Sequence, residues 1–518
     1  MIRSRGVLVA LTVALLLAAA CGGGAAQQRA IERRYQRLAA AAGQASAAPV
    51  ATGGEAAAPS ESATPGAAAS PGASTPAAVA AASGGSAGSA GTPRAAAASS
   101  AKAGPTSASP GTPSAAAAAG QATSGPATPG QPGAAAPVPG AAAGASDVGV
   151  TATSIKLGHI GIYSGPVGSF GENLSYACRA GLQSANDAGG VNGRKYDVLV
   201  RDDGWDATKG SNAVRDLVER QKVFALACGQ SVPTNDAITP YMDQQKTPNV
   251  GSDGWGEAQY AGAWSFPVGA SGVNEAQNLA DYQAKQQGAK RVGVLYWNNT
   301  TGKSYLEAYK KVIEQNGGAV VVSQAANFDD PGTSTFIAQA RADNVDTITT
   351  MVDPGIFARM VREAASQGFK PKNGYSGGAA LYFQATPGLT GPAAEGTITS
   401  IDWQPDDPQG PAGSSPGYRE YKQTVEHYYP QIDHSNWTKA GFIGARVLTD
   451  ALKRLGLNVT RQGLKDDLDR VSDFDTGLGS RIGWRPGQHR SNKTSYLTQL
   501  RPENGKLVWK YLAGPIVR

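Results

Sequence analysis

The spacing of apolar residues along residues 151–518 switches repeatedly between a strand pattern and a helix pattern. Ser154–Ile162 (SIKLGHIGI) is a short apolar run that predicts a buried strand. Leu174–Ala188 carries apolar residues three and four positions apart, and Gly189–Gly190 marks the end of this helix. The alternation then predicts strands at Arg194–Asp202, Val223–Ala227 and Thr247–Gly251, and helices at Asp206–Gln221 and Asn235–Gln245. This order is typical of a parallel, doubly wound sheet.

The same alternation of strand and helix patterns starts again after about residue 270. It predicts helices at Asn274–Gln287, Ser304–Asn316, Thr335–Ala342 and Ile356–Gln367, and strands at Arg291–Tyr296, Ala319–Gln324, Thr347–Val352 and Asn373–Ser376. A strand at Gly396–Asp402, helices at Tyr418–Tyr429 and Asn436–Leu455, and a hairpin-like end at Gly483–Leu512 complete the pattern. A single core stops growing beyond about 250–300 residues. We therefore expect an α/β chain of two Rossmann-like lobes, each with a mainly parallel sheet.

Two such lobes predict the place of a binding site. Ligands of open α/β sheets bind outside the carboxyl ends of the strands. With two lobes, the loops at these ends face one another across a cleft, and closure of the cleft removes a ligand from water.

The N-terminal residues indicate export. Arg3 and Arg5 precede an apolar run at Gly6–Ala20, and Cys21 follows directly. Basic, apolar and small-residue regions in this order are typical of a secretory signal, and the run is too short to span a membrane. Leu17–Cys21 resembles a bacterial lipobox, although Ala18 stands where leucine is usual. This predicts acylation of Cys21 and a lipid anchor on the outer face of the membrane. The alternative is an ordinary signal peptide with an incidental cysteine.

Residues 22–150 are predicted to be a disordered tether. They consist mainly of Ala, Gly, Ser, Pro and Thr, with no aromatic residue after Tyr35. Such a composition buries too little apolar surface to form a core. The random-coil reach of a tether of this length is ~60 Å.

Several chemistries receive no support from the sequence. The net charge is only +6, and the basic residues are scattered, so the sequence does not show the clustered basic residues typical of nucleic-acid binding. The four histidines lack metal-ligand spacing, and the pair Asp202–Asp203 fits a hydrogen-bonded turn better than a metal site. Thr301–Ser304 resembles the end of a phosphate-binding loop, but Trp297 occupies its first glycine position. The G-x-S-x-G match at Gly84–Gly88 lies in the tether. No catalytic set, metal or cofactor is expected, and the chain is not expected to be an enzyme.

Several strings in the folded part match a known family. They are Tyr163–Pro166 with Phe170–Gly171, Asn186–Arg194 (NDAGGVNGR), Asp202–Asp203 before Asp206, Val223–Leu226, and Gly483–Gly487 with His489–Arg490. On these strings the chain resembles type I periplasmic binding proteins, specifically the substrate-binding proteins of branched-chain amino acid ABC importers. The similarity extends over nearly all of residues 151–518.

The resemblance implies an organisation and partners. In the family, three crossovers join the lobes, so each lobe is discontinuous. Lobe 1 is then expected at residues 151–271 plus 400–472 and lobe 2 at 272–399 plus 473–518, with the hinge near Ser271, Ser400 and Ser472. The implied partners are a small-molecule ligand and an ABC permease with its ATPase, which are separate chains.

The resemblance also places ligand-binding positions, at which this sequence departs from the family. In the loop with Gln230 and Ser231, Val232 stands where the family has a hydroxyl that binds the ligand carboxylate; Ser231 or Thr234 could compensate. Trp255 replaces the usual Ser or Thr, and Thr301 replaces an aromatic residue. The acid that pairs with a ligand ammonium is replaced by Ala379, for which Asp353 or Asp253 could substitute. Ser164, in the first matching string, is a further candidate.

Six aromatic residues lie at predicted strand ends: Phe170, Trp205, Trp255, Trp297, Tyr382 and Trp403. Each alone fits core or surface packing, but together they suit an apolar or aromatic ligand. We therefore expect a ligand less zwitterionic than leucine, such as an aromatic or aliphatic carboxylate or amide.

Two cysteines lie near one edge of the predicted lobe 1. Cys178 is in the first helix and Cys228 is at the carboxyl end of the third strand. An exported chain meets an oxidising compartment, so a Cys178–Cys228 disulfide is expected; two buried thiols are the alternative.

Three functions fit this organisation to different degrees. The first is the capture subunit of an ABC importer. The second is a sensory module on the same fold that reports its ligand to a membrane partner. The third, an exported enzyme, lacks a catalytic constellation. Fold alone does not name the ligand.

Overall fold

The computed structural model describes residues 147–229, 231–329 and 331–518. Cys21, the predicted signal peptide, most of the predicted tether and Gln230 lie outside this part of the chain. The folded unit already includes Asp147, whose Oδ2 accepts a hydrogen bond from the backbone N–H of Arg461 at 2.8 Å. It therefore starts a few residues before the expected boundary at 151.

The described residues contain fourteen strands. In chain order they are β1 Ser154–Gly161, β2 Lys195–Asp202, β3 Ala225–Ala227, β4 Asn249–Val250, β5 Ser265–Phe266, β6 Arg291–Trp297, β7 Ala319–Ala326, β8 Thr347–Met351, β9 Tyr375–Gly377, β10 Ile398–Ile401, β11 Phe474–Asp475, β12 Arg481–Ile482, β13 Thr494–Glu503 and β14 Lys506–Val517. Every strand expected from the apolar pattern is present, mostly with slightly shifted ends.

Eleven α-helices are present in the same residues. They are α1 Gly168–Asp187, α2 Ala207–Arg215, α3 Val232–Gln245, α4 Gly272–Tyr282, α5 Thr300–Gln315, α6 Thr333–Ala342, α7 Pro354–Ser366, α8 Thr386–Thr390, α9 Pro416–Tyr428, α10 Asn436–Leu455 and α11 Arg461–Leu468. Both α2 and α4 continue into a π-helical turn, Asp216–Arg220 and Gln283–Gln287 respectively. Among these residues, no helix is both long and apolar enough to cross a membrane.

Twelve of the fourteen strands form two separate large sheets, which confirms the expectation of two lobes, and β11 and β12 form a small antiparallel pair. The first sheet is parallel throughout, in the order β2-β1-β3-β4-β5. The second sheet has the order β14-β13-β10-β9-β8-β6-β7. The five strands from β10 to β7 in this order are parallel to one another. The hairpin β13–β14 joins this sheet antiparallel to β10. We call the units around these sheets lobe 1 and lobe 2.

The chain passes between the two lobes three times. It leaves the first sheet after β5, returns after β10, and re-enters the second sheet at β13. On the return, α10 packs along α1, with α9 beside α1 and α11 beside α10. The whole of β10, Ile398–Ile401, belongs to the sheet of lobe 2, so this crossover follows Ile401, just beyond the expected position at Ser400.

The strand ends are shaped by side chains that bind the backbone. Asp202 Oδ1 accepts hydrogen bonds from the N–H groups of Tyr163, Ser164 and Gly204, at 2.9, 3.2 and 3.0 Å. Asp203 Oδ1 accepts from the N–H of Trp205 at 2.9 Å. The Asp202–Asp203 pair thus forms the hydrogen-bonded turn that the sequence suggested. It fixes the loops after β1 and β2 relative to each other.

Cys178 of α1 and Cys228, directly after β3, form a disulfide, with their Cα atoms 6.2 Å apart. Both residues are buried. Cys228 has a φ of 54°, a conformation rare for residues other than glycine. The bridge therefore joins the first helix of lobe 1 to the loop that leaves the carboxyl end of the central strand.

Candidate ligand-binding site

Five aromatic rings form a continuous row where lobe 1 meets lobe 2. We call this the aromatic row; its members are, in spatial order, Trp205, Trp297, Trp255, Trp437 and Phe383. Successive ring centroids are 5.7, 6.1, 5.2 and 5.4 Å apart, within the range of favourable ring contacts. Trp205, Trp255 and Trp437 come from lobe 1, and Trp297 and Phe383 come from lobe 2. Three of the four contacts therefore cross between the lobes.

The elements that carry the row are those expected to line a cleft. Trp205 follows β2 and Trp255 follows β4, both at the carboxyl edge of the first sheet. Trp297 is the last residue of β6 and Phe383 follows β9, at the corresponding edge of the second sheet. The carboxyl ends of the two sheets thus face each other, as the α/β pattern predicts.

Trp205 occupies a strained backbone conformation. Its φ is 66°, in the left-handed region that bulky residues avoid at a cost of roughly 1–2 kcal/mol. The hydrogen bond from its N–H to Asp203 helps to hold this geometry. Strain of this kind persists where the surrounding structure enforces it, often at binding sites. Here it directs an indole ring of lobe 1 against Trp297 of lobe 2.

A buried glutamate links the middle of the row to lobe 2. Glu275, in the first turn of α4, is fully buried. Its Oε1 accepts a hydrogen bond from Trp255 Nε1 at 2.7 Å, and its Oε2 accepts from the N–H of Ala379 at 2.9 Å. Burial, together with the negative charge of Asp402, raises the pKa of Glu275 well above its usual value. Ala379, where the family resemblance would place an acid, is therefore bonded to the carboxylate of another residue.

Asp353 lies beside the lobe 2 tryptophan of the row. It caps α7, and its Oδ1 accepts from the N–H groups of Gly355 and Ile356 at 2.8 and 3.2 Å. Its Oδ2 is buried and has no hydrogen-bond partner of normal geometry in the described residues. Burial raises the pKa of Asp353, while hydrogen bonds from backbone N–H groups and from the side chain of Trp297 oppose this rise.

Asp236 connects the lobes through a hydrogen bond. Its Oδ2, on α3 of lobe 1, accepts from Thr300 Oγ1, on α5 of lobe 2, at 3.2 Å. Burial raises the pKa of this carboxyl. The contact joins the first turn of α5 to α3 and can form only when the lobes are close together.

Two further buried acids lie between the lobes. Asp253 follows β4, and Asp402 follows β10 at a crossover. Asp402 Oδ2 accepts from the N–H of Ala270 at 3.1 Å and from Asn436 Nδ2 at 3.2 Å, which ties two crossover segments to α10. Burial is the main reason that the pKa values of both carboxyls are raised.

The hydroxyls expected to compensate for Val232 are directed elsewhere. Thr234 Oγ1 donates to Asp203 Oδ2 at 2.6 Å. Hydrogen bonds from the side chains of Thr234 and Ser231 oppose the rise that burial causes in the pKa of Asp203. Val232 itself is buried at the start of α3. The loop after β3 therefore turns its hydroxyls toward the β2 end rather than toward lobe 2.

The other predicted residues are placed as follows. Ser164 is exposed, and its Oγ donates to Asp202 at 2.6 Å. Thr301 is buried in α5 next to Gly272, and its Oγ1 has no hydrogen-bond partner among the described residues. Trp403 is fully buried after β10 and is not part of the row. For Phe170 only the backbone, in α1, is described, and Gln230 lies outside the described residues.

Tyr382 lies beside the Phe383 end of the row and carries a buried lysine over its ring. Lys439 Nζ is 4.9 Å from the ring centroid of Tyr382 and 5.8 Å from that of Tyr418. Burial lowers the pKa of Lys439 to about 8, and the negative charges of Asp406 and Asp433 oppose this shift. The Tyr382 hydroxyl accepts a hydrogen bond from the N–H of Asp406 at 2.6 Å.

Several residues of the site were missed in the sequence. Trp437, Phe383, Glu275 and Lys439 carry no motif. Trp437 and Lys439 lie in the predicted helix Asn436–Leu455, where one apolar and one charged residue are expected in any amphipathic helix. Glu275 is 104 residues from its partner Ala379, and no local signal connects the two.

Comparison with known proteins agrees with this architecture. The family model described as periplasmic binding protein matches residues 154–506. Leu/Ile/Val-binding protein homolog 7 of Brucella abortus (strain 2308) is 22% identical over 374 residues, which cover 70% of this chain and 92% of the relative.

Solved structures resemble the folded part as well. A fatty acid ABC transporter substrate-binding protein from Thermomonospora curvata superposes with a TM-score of 0.61 at 22% identity, covering 71% of this chain and 94% of that one. A solute binding protein of an ABC transporter from Rhodopseudomonas palustris BisB5, in complex with 3,4-dihydroxybenzoic acid, gives 0.61 at 19% identity, covering 70% and 98%. At these identities the likeness shows the fold.

Proposed function

The chain belongs to the periplasmic binding protein family, and on that basis we propose that it is the extracytoplasmic receptor subunit of an ABC importer. In this role it captures a small organic molecule between its two lobes and presents the closed form to a permease. The permease and its ATPase are separate chains. The activity is binding, without turnover of the ligand.

The observation that carries this proposal is the aromatic row, because three of its four ring contacts cross between the two lobes. Trp205 and Trp255 of lobe 1 both contact Trp297 of lobe 2. A ligand that inserts between such rings contacts both lobes at once, so its binding energy favours the closed form. Such coupling between binding and closure is what a receptor needs in order to signal that it is loaded.

The ligand classes to consider are amino acid-like molecules and apolar or aromatic carboxylates or amides. Of the two similar solved structures, one is the substrate-binding protein of a fatty acid ABC transporter, and the other is a solute binding protein in complex with 3,4-dihydroxybenzoic acid. The indole faces of this chain's row suit an apolar or aromatic body equally well. We propose a ligand less zwitterionic than leucine, because Thr234 donates to Asp203 and Ala379 carries no acid.

A thermal-shift screen of the purified chain tests the proposal, because a ligand that binds only the native state raises its melting temperature. Amino acids, aromatic and aliphatic carboxylates, amides and amines form the panel, and each hit is titrated by calorimetry. We expect a ligand with an apolar or aromatic body, recovered unchanged after incubation. Micromolar binding of leucine or valine contradicts the less zwitterionic ligand, and conversion of the ligand contradicts a binding role.

Membrane anchoring through Cys21 is part of the same proposal. It rests on the resemblance of Leu17–Cys21 to a lipobox, with the tether giving the receptor reach. The test compares the wild-type chain with Cys21→Ser after expression in a bacterial host. We expect the wild type to sediment with membranes and to incorporate a labelled fatty acid, and the variant to do neither. Equal membrane association of the two chains contradicts the anchor.

A further inference from the structure

We propose that the captured ligand carries an oxygen acceptor, a carboxylate or an amide carbonyl, and that this group binds the indole N–H of Trp437 at the start of α10. This inference rests on the receptor function proposed above. It adds the residue that holds the polar end of the ligand and the direction in which the ligand lies along the aromatic row. Trp437 is then a residue that determines specificity.

The indole nitrogen of Trp437 is a buried donor without an acceptor. The residue is 3% exposed, and its Nε1 has no hydrogen-bond partner among the described residues. A buried tryptophan usually finds a partner for its N–H, because a buried polar group without a hydrogen bond destabilises the folded chain. An acceptor on a bound molecule would satisfy this donor.

Other buried tryptophans satisfy the same donor within the protein. In the part of the chain that the structure describes, Trp255 Nε1 donates to Glu275 Oε1 at 2.7 Å, Trp484 Nε1 to the carbonyl oxygen of Pro267 at 2.9 Å, and Trp509 Nε1 to that of Phe383 at 3.0 Å. The Trp297 side chain reaches Asp353, although not with normal hydrogen-bond geometry. Trp403 Nε1 has no partner in the same residues, but its ring is not part of the row. Trp437 thus differs from its neighbours in the row.

A second buried donor without an acceptor lies two residues further along α10. Lys439 is fully buried, and its Nζ has no hydrogen-bond partner in the described residues. The ammonium lies over the ring of Tyr382, which directly precedes Phe383 of the row, at 4.9 Å from the ring centroid. Asp406 and Asp433 attract this ammonium without accepting a hydrogen bond from it. Two side-chain donors in the first turns of α10 therefore lack acceptors, and the partial positive charge of a helix N-terminus also favours an acceptor there.

The place that the family resemblance indicates for a ligand oxygen offers no free hydroxyl. Thr234 Oγ1 donates to Asp203 Oδ2, and the side chain of Ser231 interacts with the same carboxyl. Val232 has no hydroxyl at all. The Trp437 end of the row is therefore the better place for an oxygen acceptor, and the apolar body of the ligand then extends along the row toward Trp297.

Space for part of a ligand lies next to this end of the row. A cavity of about 300 Å³ is lined by residues of both lobes, among them Phe383 of lobe 2 and His434 of lobe 1. Its volume is at the lower end of the range that small-molecule sites usually show. Phe383 also contacts the ring of Trp437, with centroids 5.4 Å apart. The cavity and the unpartnered indole are thus separated by a single ring.

Six probes on two apolar bodies test the acceptor class. They are 3-phenylpropanoate, 3-phenylpropanamide and 3-phenylpropylamine, and octanoate, octanamide and octylamine. Each is titrated into the full chain by calorimetry at neutral pH. On at least one body, we expect the carboxylate, the amide or both to bind at least about tenfold more tightly than the amine, which has no oxygen acceptor.

The possible failures of this panel are distinct. If the amine of each body binds as tightly as its carboxylate and its amide, the inference is overturned while the receptor function stands. If none of the six probes binds, the inference is also wrong, and the thermal-shift screen alone then decides the receptor function.

Trp437→Phe tests the indole N–H itself, because phenylalanine keeps an aromatic ring and removes the donor. We expect the affinity for the tightest carboxylate or amide to fall about tenfold, as the loss of one hydrogen bond predicts, and the affinity for the matching amine to fall about twofold at most. Trp403→Phe, which removes a buried unpartnered indole outside the row, is the matched control and should bind every probe as the wild type does. An equal loss for the oxygen-bearing probe and the amine, or no loss for either, contradicts the proposal.

Discussion

Trp205 of lobe 1 and Trp297 of lobe 2 lie with their ring centroids 5.7 Å apart, although no sequence motif links them. Trp205 reaches this position through a backbone conformation, with φ at 66°, that tryptophan rarely adopts. Glycine would adopt this backbone conformation with less strain than tryptophan does. We infer that the ring is retained for what it contacts across the cleft.

This relationship predicts that two substitutions of Trp205 weaken ligand binding alike but differ in their effect on stability. Replacing Trp205 by glycine removes the ring and the strain, whereas replacing it by alanine removes only the ring, since alanine at positive φ is itself destabilising. We expect both variants to lose about tenfold or more in ligand affinity, measured by calorimetry. The glycine variant should unfold in denaturant with a free energy roughly 1 kcal/mol above that of the alanine variant. Unchanged affinity in both would show that the ring has no part in binding.

The hydrogen bond between Thr300 and Asp236 predicts a small effect on closure. Thr300→Val deletes the donor that joins α5 to α3, and a net hydrogen bond contributes about 1 kcal/mol. Since Thr300 is exposed, we expect ligand affinity to fall about fivefold while the melting temperature of the unliganded chain stays the same. Thr335→Val, at an exposed position on α6, is the control. An equal loss in both variants would remove the link to closure.

The Cys178–Cys228 bridge predicts a contribution to stability. It closes a segment of 50 residues, and cross-links of this size stabilise the native state by about 2–4 kcal/mol, chiefly by restricting the unfolded chain. The double variant Cys178→Ser/Cys228→Ser should therefore unfold at lower denaturant concentration. Reductant should lower the stability of the wild type toward that of the variant and leave the variant unaffected. Two free thiols in the unreduced wild type, found by mass spectrometry, would refute the bridge.

His159 predicts a loss of stability in acid. The imidazole is fully buried, with Nδ1 2.9 Å from the carbonyl oxygen of Ala227 and Nε2 2.7 Å from Ser175 Oγ, and burial lowers its pKa to about 4. Between pH 6.5 and about 4 the unfolded chain therefore binds a proton that the folded chain does not. Stability falls as pH decreases through this window, by up to roughly 3 kcal/mol.

The measurement compares the free energy of unfolding at pH 7 and pH 5 in the wild type and in His159→Gln. The variant should lose less stability on acidification, because glutamine does not titrate. His427→Gln, at an exposed position, should behave as the wild type does. An NMR titration that finds the His159 imidazole protonated at pH 6 would contradict the prediction.

Much of the fold could be predicted because the apolar pattern is strong where elements are long. Asn436–Leu455 was predicted with its observed bounds, since its buried residues recur at helical spacing over 20 residues. Ser265–Phe266 could not be predicted, because two residues carry no periodicity. The helix Arg461–Leu468 was also missed, because only Leu464 and Leu468 are buried among polar neighbours.

The site was predictable in part for a related reason. Trp205, Trp255 and Trp297 follow or end strands, so the rule that ligands bind at strand ends selects them. Trp437 lies in a helix, and its ring joins the row only because α10 packs along α1. Glu275 likewise became visible only when folding brought it to Trp255 and Ala379. Contacts between distant segments leave no local mark in the sequence.

The most direct measurement is a crystal structure of the full chain with the tightest-binding compound from the screen. The account predicts closed lobes and ligand density among the rings of Trp255, Trp297 and Trp437, in contact with residues of both lobes. Density at another surface, with these rings still packed on one another, would contradict it.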